Sequence, residues 1–256
     1  MMIDYFGLWF LHVLCCLSLQ RFSRSLCTLL NCSYDPSNYP AFFFAESLPE
    51  LLQLVHLKVN PDITSTIKFI LCCLGPHLDC DQLLAIKLEE REAEYCISTL
   101  VAGASAPSLK ADGFSVHEIL CILTNFTQSY STLKMAANTV QTEFSRFEQR
   151  MCKTADELEK NCKVLMKQKL LDTIAFLLLV PEENIQEASA RLLWNLLHFK
   201  AFKEKVLSEF PAIVEALNTL RDVPSPDIQL TAYCALWVLG LVDDDGRLEL
   251  LSNVNQ

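Results

Sequence analysis

IQEASARLLWNLL, residues 185–197, is the stretch from which the rest of the chain is read. Its apolar and small residues, Ile185, Ala188, Ser189, Leu192, Leu193, Leu196 and Leu197, recur at the i, i+3, i+4, i+7 spacing of one helix face. Forty-three residues later the chain repeats it as IQLTAYCALWVLGL, residues 228–241. Ile185/Ile228, Gln186/Gln229, Leu193/Leu236, Trp194/Trp237 and Leu196/Leu239 stand in register. A self-match at about 40 to 47 residues is the period of stacked helical repeats. Each such unit is too small to bury its apolar face alone, so neighbours must cover one another.

A second correspondence spans 162 to 165 residues. Pro49-x-Leu51-Leu52-Gln53 matches Pro211-x-Ile213-Val214-Glu215, and each is followed by a Pro-Asp-Ile entry, Pro61-Asp62-Ile63 and Pro226-Asp227-Ile228. Pro suits the first turn of a helix, where its missing N–H is not needed. Asp62 and Asp227 are expected N-caps, and Gly75 and Gly240 expected C-caps.

Between these copies, residues 79–102 read as one helix capped by Asp79 or Asp81, with Glu89, Glu90, Glu92 and Glu94 as a solvated acidic face. Residues 103–113, GASAPSLKADG, read as a loop. Residues 115–126 read as the next helix, its Leu123-x-Asn125-Phe126 repeating the Leu193-x-Asn195-Leu196 ending. From 127 to 180 there is neither Gly nor Pro, and Phe144, Phe147, Met151, Ala155, Leu158, Cys162 and Leu165 make an apolar stripe. That run is one long helix, or two if the capping box Thr154-x-x-Glu157 restarts it.

The motif Ala190-x-x-Leu193-x-Asn195-Leu196 resembles the A-x-x-L-x-N-L of the third helix of armadillo-repeat proteins. The resemblance implies an all-α, right-handed armadillo-type superhelix, an α-solenoid of about 4–5 irregular repeats, in a single domain over 1–256. Its parts would be a partial repeat at 1–32, repeats at 45–80 and 81–128, an insertion at 129–169, a repeat at 170–207, and a repeat with C-terminal cap at 208–256. In armadillo proteins the third helices line a concave groove and the Asn holds the backbone of an extended peptide. Asn195 and Asn125 would take that role here. Importin-type arrays carry a Trp four residues before that Asn; here Arg191 and Cys121 stand there, so recognition of nuclear signals is not expected.

Composition bounds the function. A formal charge of -10 argues against nucleic acid, whose binding rests on Lys and Arg, and favours a basic or mixed-charge protein or peptide. The twelve cysteines mostly replace apolar residues within helical stripes, as reduced core thiols of an intracellular, cytoplasmic protein do. Residues 5–19, YFGLWFLHVLCCLSL, offer the alternative of a secreted or membrane-anchored helical protein. Against it, Asp4 and no Lys or Arg precede the apolar run, and the run is short for a membrane span.

No nucleophile elbow, phosphate-cradling Gly loop or H-E-x-x-H stands in the chain, so the reading is non-enzymatic and without a cofactor. An enzyme lacking any such motif is the remaining alternative. Cys73, His77 and Cys80 form a metal-like cluster, but the triple lacks a second well-spaced pair and reads as a helix end with core cysteines. Arg146, Lys153, Lys160 and Lys167, spaced by seven, with Arg150 and Lys163 beside them, form a basic stripe, either a contact surface or a solvated helix face. Trp194 and Trp237 lie off the apolar seam, and so either pack on a neighbouring repeat or face a ligand. Asn125, Arg191, Trp194, Asn195 and Trp237 are therefore the expected partner-binding residues of a scaffold, adaptor or regulatory module.

Overall fold

The computed structural model of the 256-residue chain describes residues 19–44, 47–57, 60–78, 82, 86, 88–139 and 163–242. Apart from one short hairpin, the regular elements described are helices, and they group into two compact units, Met1–Lys87 and Leu88–Gln256. The candidate signal at 5–18, most of the apolar stripe, the Thr154/Glu157 capping box and the acidic tail from 243 onward lie outside the described residues.

In the first unit, α1 (Leu19–Ser33) and α3 (Ser47–Leu57) pack on α4 (Pro61–Leu74), and α2 (Tyr39–Phe44) packs on α3. Phe22, Leu26 and Leu30 recur every four residues on α1, and all three are buried. Facing them, α4 buries Ile67, Ile70, Leu71 and Leu74 completely. Its N-cap is Asn60, not Asp62: the Asn60 side-chain oxygen accepts from the N–H groups of Asp62 and Ile63 at 2.8 and 3.3 Å. Pro61 takes the first helical position, which leaves Asp62 inside the first turn, where a carboxylate favours the helix dipole. Nor is Gly75 the left-handed cap expected; it stays right-handed and leads into a 3-10 turn, Gly75–His77.

The second unit comprises α5 (Glu90–Ser105), α6 (Val116–Thr139), α7 (Gln168–Leu177), α8 (Glu183–Leu197), α9 (Lys200–Glu209), α10 (Pro211–Leu220) and α11 (Pro226–Leu239). Helices α6, α8 and α11 pack side by side as a ladder. A second layer backs it, with α5 on α6, α7 on α8 and α10 on α11. Helix α9 bridges α8 and α10, which completes the three-helix unit α9–α10–α11. The same order, α2–α3–α4, occurs in the first unit, and α1 packs on α4 as α8 packs on α11. The 162- to 165-residue sequence match is thus a match of whole helices, α3 with α10 and α4 with α11.

Three expectations are corrected here. Helix α5 starts at Glu90, because Glu89 is its cap: the Glu89 N–H donates to the Glu92 carboxylate at 2.8 Å, and Glu92 is buried rather than part of a solvated face. Gly103 sits inside α5 rather than in a loop. A Cβ there would stand 2.9 Å from a Val116 methyl, so glycine lets α5 approach the start of α6. The turn that follows is a two-stranded hairpin, Lys110–Ala111 with Phe114–Ser115.

Helix α6 opens with a reciprocal capping box: the Ser115 N–H donates to Glu118 at 2.6 Å and the Glu118 N–H to the Ser115 hydroxyl at 3.2 Å. The 3-10 turn Lys163–Leu165 and two non-helical residues precede α7, while residues 140–162, on which the choice between one helix and two rests, lie outside the described residues. Gly240 closes α11 at φ 78°, the left-handed cap expected, with its own N–H and that of Leu241 bonded back to Trp237 and Leu236. Among the described residues, no helix is long and apolar enough to cross a membrane.

Candidate functional site

Each ladder helix keeps one stripe out of the core. On α8 it is Glu187, Arg191, Trp194 and His198; between Ala188 and Leu197 every other residue is buried. On α6 the corresponding stripe is His117, Cys121 and Asn125, half-buried, with Gln128 exposed. On α11 it is Leu230, 62% exposed, half-buried Cys234, and Trp237, 51% exposed. The stripes adjoin: the charges of Arg191 and Glu187 act on Cys121 of the next helix.

Four of the five expected partner-binding residues, Asn125, Arg191, Trp194 and Trp237, fall on these stripes. Asn195 does not. It is 4% exposed, and its amide donates to the Thr124 carbonyl at 3.1 Å and the Thr127 hydroxyl at 3.3 Å, both on α6. The Thr124 hydroxyl answers by donating to the Ala188 carbonyl at 3.5 Å. Asn195 therefore ties two rungs of the ladder together. The two tryptophans, equivalent in sequence, differ: Trp194 is half-buried with its ring 6.1 Å from that of His198, whereas Trp237 is exposed.

Stepping Glu187 and Arg191 forward by the 43-residue period lands on Leu230 and Cys234. On α8 those two positions hold an i,i+4 ion pair of 2.7 Å; on α11 they are apolar. The period was legible, but an apolar residue in a helix reads as core until its neighbours are known.

Catalytic chemistry on this face is limited by Cys121. Burial, reinforced by the Glu118 charge, pushes its thiol up to about 11. Its sulfur stands 3.8 and 3.7 Å from the two nitrogens of His117, equidistant rather than in line with either, so no thiolate is drawn out. At pH 8 its thiolate fraction, and with it native-state alkylation, should be on the order of 100-fold below that of a free cysteine thiol in solution. Iodoacetamide labelling read by peptide mass spectrometry checks this; labelling of Cys121 as fast as a short cysteine peptide would contradict it.

The metal-like cluster separates. Cys73 is fully buried in α4, and exposed His77 packs edge-on to Tyr39 at 4.9 Å between ring centres; Cys80 lies outside the described residues. Among the described residues, no group of three His, Cys, Asp or Glu side chains is placed to hold a metal ion.

Of the basic stripe, Arg146, Arg150, Lys153 and Lys160 lie outside the described residues, and Lys163 is exposed. Lys167 is engaged by Glu90 at 2.6 Å and Glu94 at 3.7 Å. That hydrogen bond holds the Lys167 ammonium above its usual range and the Glu90 carboxyl below its own, so both stay charged. The pair sits beside a cavity of about 670 Å³ on α5, lined by Tyr95, Ile97 and Val101 among others.

The helix order and the two-layer stacking define the class: an all-α protein of stacked helical repeats. Solved structures similar to it include an engineered protein at 13% identity and TM-score 0.46, over 94% of this chain and 97% of that one. A designed armadillo repeat protein in complex with the peptide (KR)4 aligns at 15% identity and TM-score 0.40, over 90% and 98%. A computationally designed armadillo repeat protein for modular peptide recognition aligns at 15% and 0.36, over 86% and 94%. At these TM-scores the class stands on the helices themselves. No protein-family model matches the chain, and no curated protein matches it in sequence.

Proposed function

We propose that the α6–α8–α11 ladder is a protein- or peptide-binding surface, and that the chain is a non-enzymatic scaffold, adaptor or regulatory module acting inside the cell. The observation that carries this is the α11 stripe. Leu230 and Trp237, two large apolar side chains seven residues apart, are more than half exposed. The first stands where the preceding repeat keeps the charged, half-buried Glu187. Exposed apolar residues grouped on one helix face mark contact sites more often than scattered ones do, and Trp is a frequent energetic anchor. Arg191 and Glu187 beside them suit a ligand of mixed or basic charge. An intracellular setting is supported by the placement of Cys72, Cys73 and Cys96 as buried core residues within helices rather than in loops.

The test begins with affinity capture of partners from cell extract, identified by mass spectrometry. Affinity for the purified partner is then measured with Trp237→Ala and with the double variant Leu230→Glu/Cys234→Arg. The double variant writes the ion pair of α8 onto α11, so folding should be preserved. Both should weaken binding by about 30-fold or more, the size of an anchor residue. Wild-type affinity in both folded proteins would remove this face as the binding surface.

A further inference from the structure

His198 ends α8 beside the junction of α8, α9 and α11. Its Nε2 is buried and, among the described residues, has no hydrogen-bond partner. From α9, Lys203 is the charged group that acts on it. That same Lys203 reaches across to α11 and donates to the Val238 carbonyl at 2.5 Å, in the last turn of the helix, where a cation complements the dipole. Among the described residues no charged group of α6, α7 or α11 acts on His198, and on its own helix the neighbour is the Trp194 ring, tilted 54° to it. The imidazole is thus well placed while neutral. A proton on it finds no acceptor at Nε2 and a lysine ammonium nearby.

We propose that His198 is an acid-sensitive latch for the last helix of the ladder: its protonation sets a second cation beside Lys203 and draws Lys203 off the Val238 carbonyl. Helix α9 then loosens from α11, and the stripe carrying Trp237 loosens with it. Burial first, and Lys203 second, hold the folded-state pKa of His198 below its ordinary value of 6.5. The unfolded chain therefore binds the proton more readily. Stability contributed here is present above that ordinary value and is lost as pH falls through it towards the depressed one.

Amide hydrogen exchange of residues 236–241, expressed as protection factors so that intrinsic pH effects cancel, tests the latch at pH 7.5 and 5.0. In the wild-type protein, protection at Gly240 and Leu241 should fall by about tenfold on acidification as the closing bonds of α11 open. His198→Gln, neutral at both pH values, should keep its protection. Lys203→Met should show low protection already at pH 7.5 and no further acid loss. An acid loss in His198→Gln equal to wild type overturns the proposal. Should that variant fail to fold, Lys203→Met decides it, since a wild-type acid loss there overturns it equally.

Discussion

Leu193→Ala should lower the free energy of unfolding by about 2 to 5 kcal/mol, and Leu236→Ala by a similar amount. Both side chains are completely buried, at the same position of consecutive repeats. The loss has two parts: transfer of the removed methyl groups, and a cavity that close-packed neighbours fill only in part. Helix α8 lies between α6 and α11 and is backed by α7, so the wall around Leu193 is built from several rigid elements. Leu193→Met, which conserves volume, should cost less than about 1.5 kcal/mol. Urea denaturation of the three variants measures the series. A loss below about 0.5 kcal/mol in both alanine variants is what a surface position gives, and would show that the shared stripe is not the core.

Asn195→Ala should destabilise the protein by about 1 to 3 kcal/mol, the cost of removing two buried hydrogen bonds between α8 and α6. The amide of Asn195 donates to Thr124 and Thr127, both buried, the second completely. Asn195→Asp should cost more, because it removes the donor and sets a carboxylate against the Thr124 carbonyl in a buried site. Trp237→Ala is the contrast: its side chain is half in solvent, and its truncation should leave stability within about 0.5 kcal/mol of wild type. Thermal and urea melts separate the two behaviours. If Asn195→Ala melts like wild type yet binds a partner more weakly, the amide serves the ligand and not the ladder.

The expectation for Asn195 came from a motif, and the motif carries two kinds of information that only packing separates. In Ala190-x-x-Leu193-x-Asn195-Leu196 the leucines lie on the core side, as their spacing requires. The asparagine sits one residue from Trp194, which is about 100° around a helix. One of the two directions meets α6, and the other leaves the core. A Ser-x-x-Glu start at Ser115 and the Asn before Pro61 were equally open to view, and each closes a helix by local bonds alone. Such caps are readable because donor and acceptor are a few residues apart in the chain.

What the sequence by itself determined is therefore local or periodic. It set the helices at 183–197 and 226–239, their shared buried stripe, the Pro entries, the left-handed Gly240, and the copying of a two-helix unit at 162 to 165 residues. Only the tertiary structure decided which polar and aromatic side chains face a neighbour. Trp194 and Trp237 occupy one register and differ in exposure; Asn195 is buried among threonines, while Leu230, a residue that reads as core, stands in solvent. Helix geometry assigns each side chain an angle around its own axis. Which of those angles is covered depends on where the next helix lies, and that position comes from contacts between residues such as Thr124 and Asn195, 71 apart in the chain.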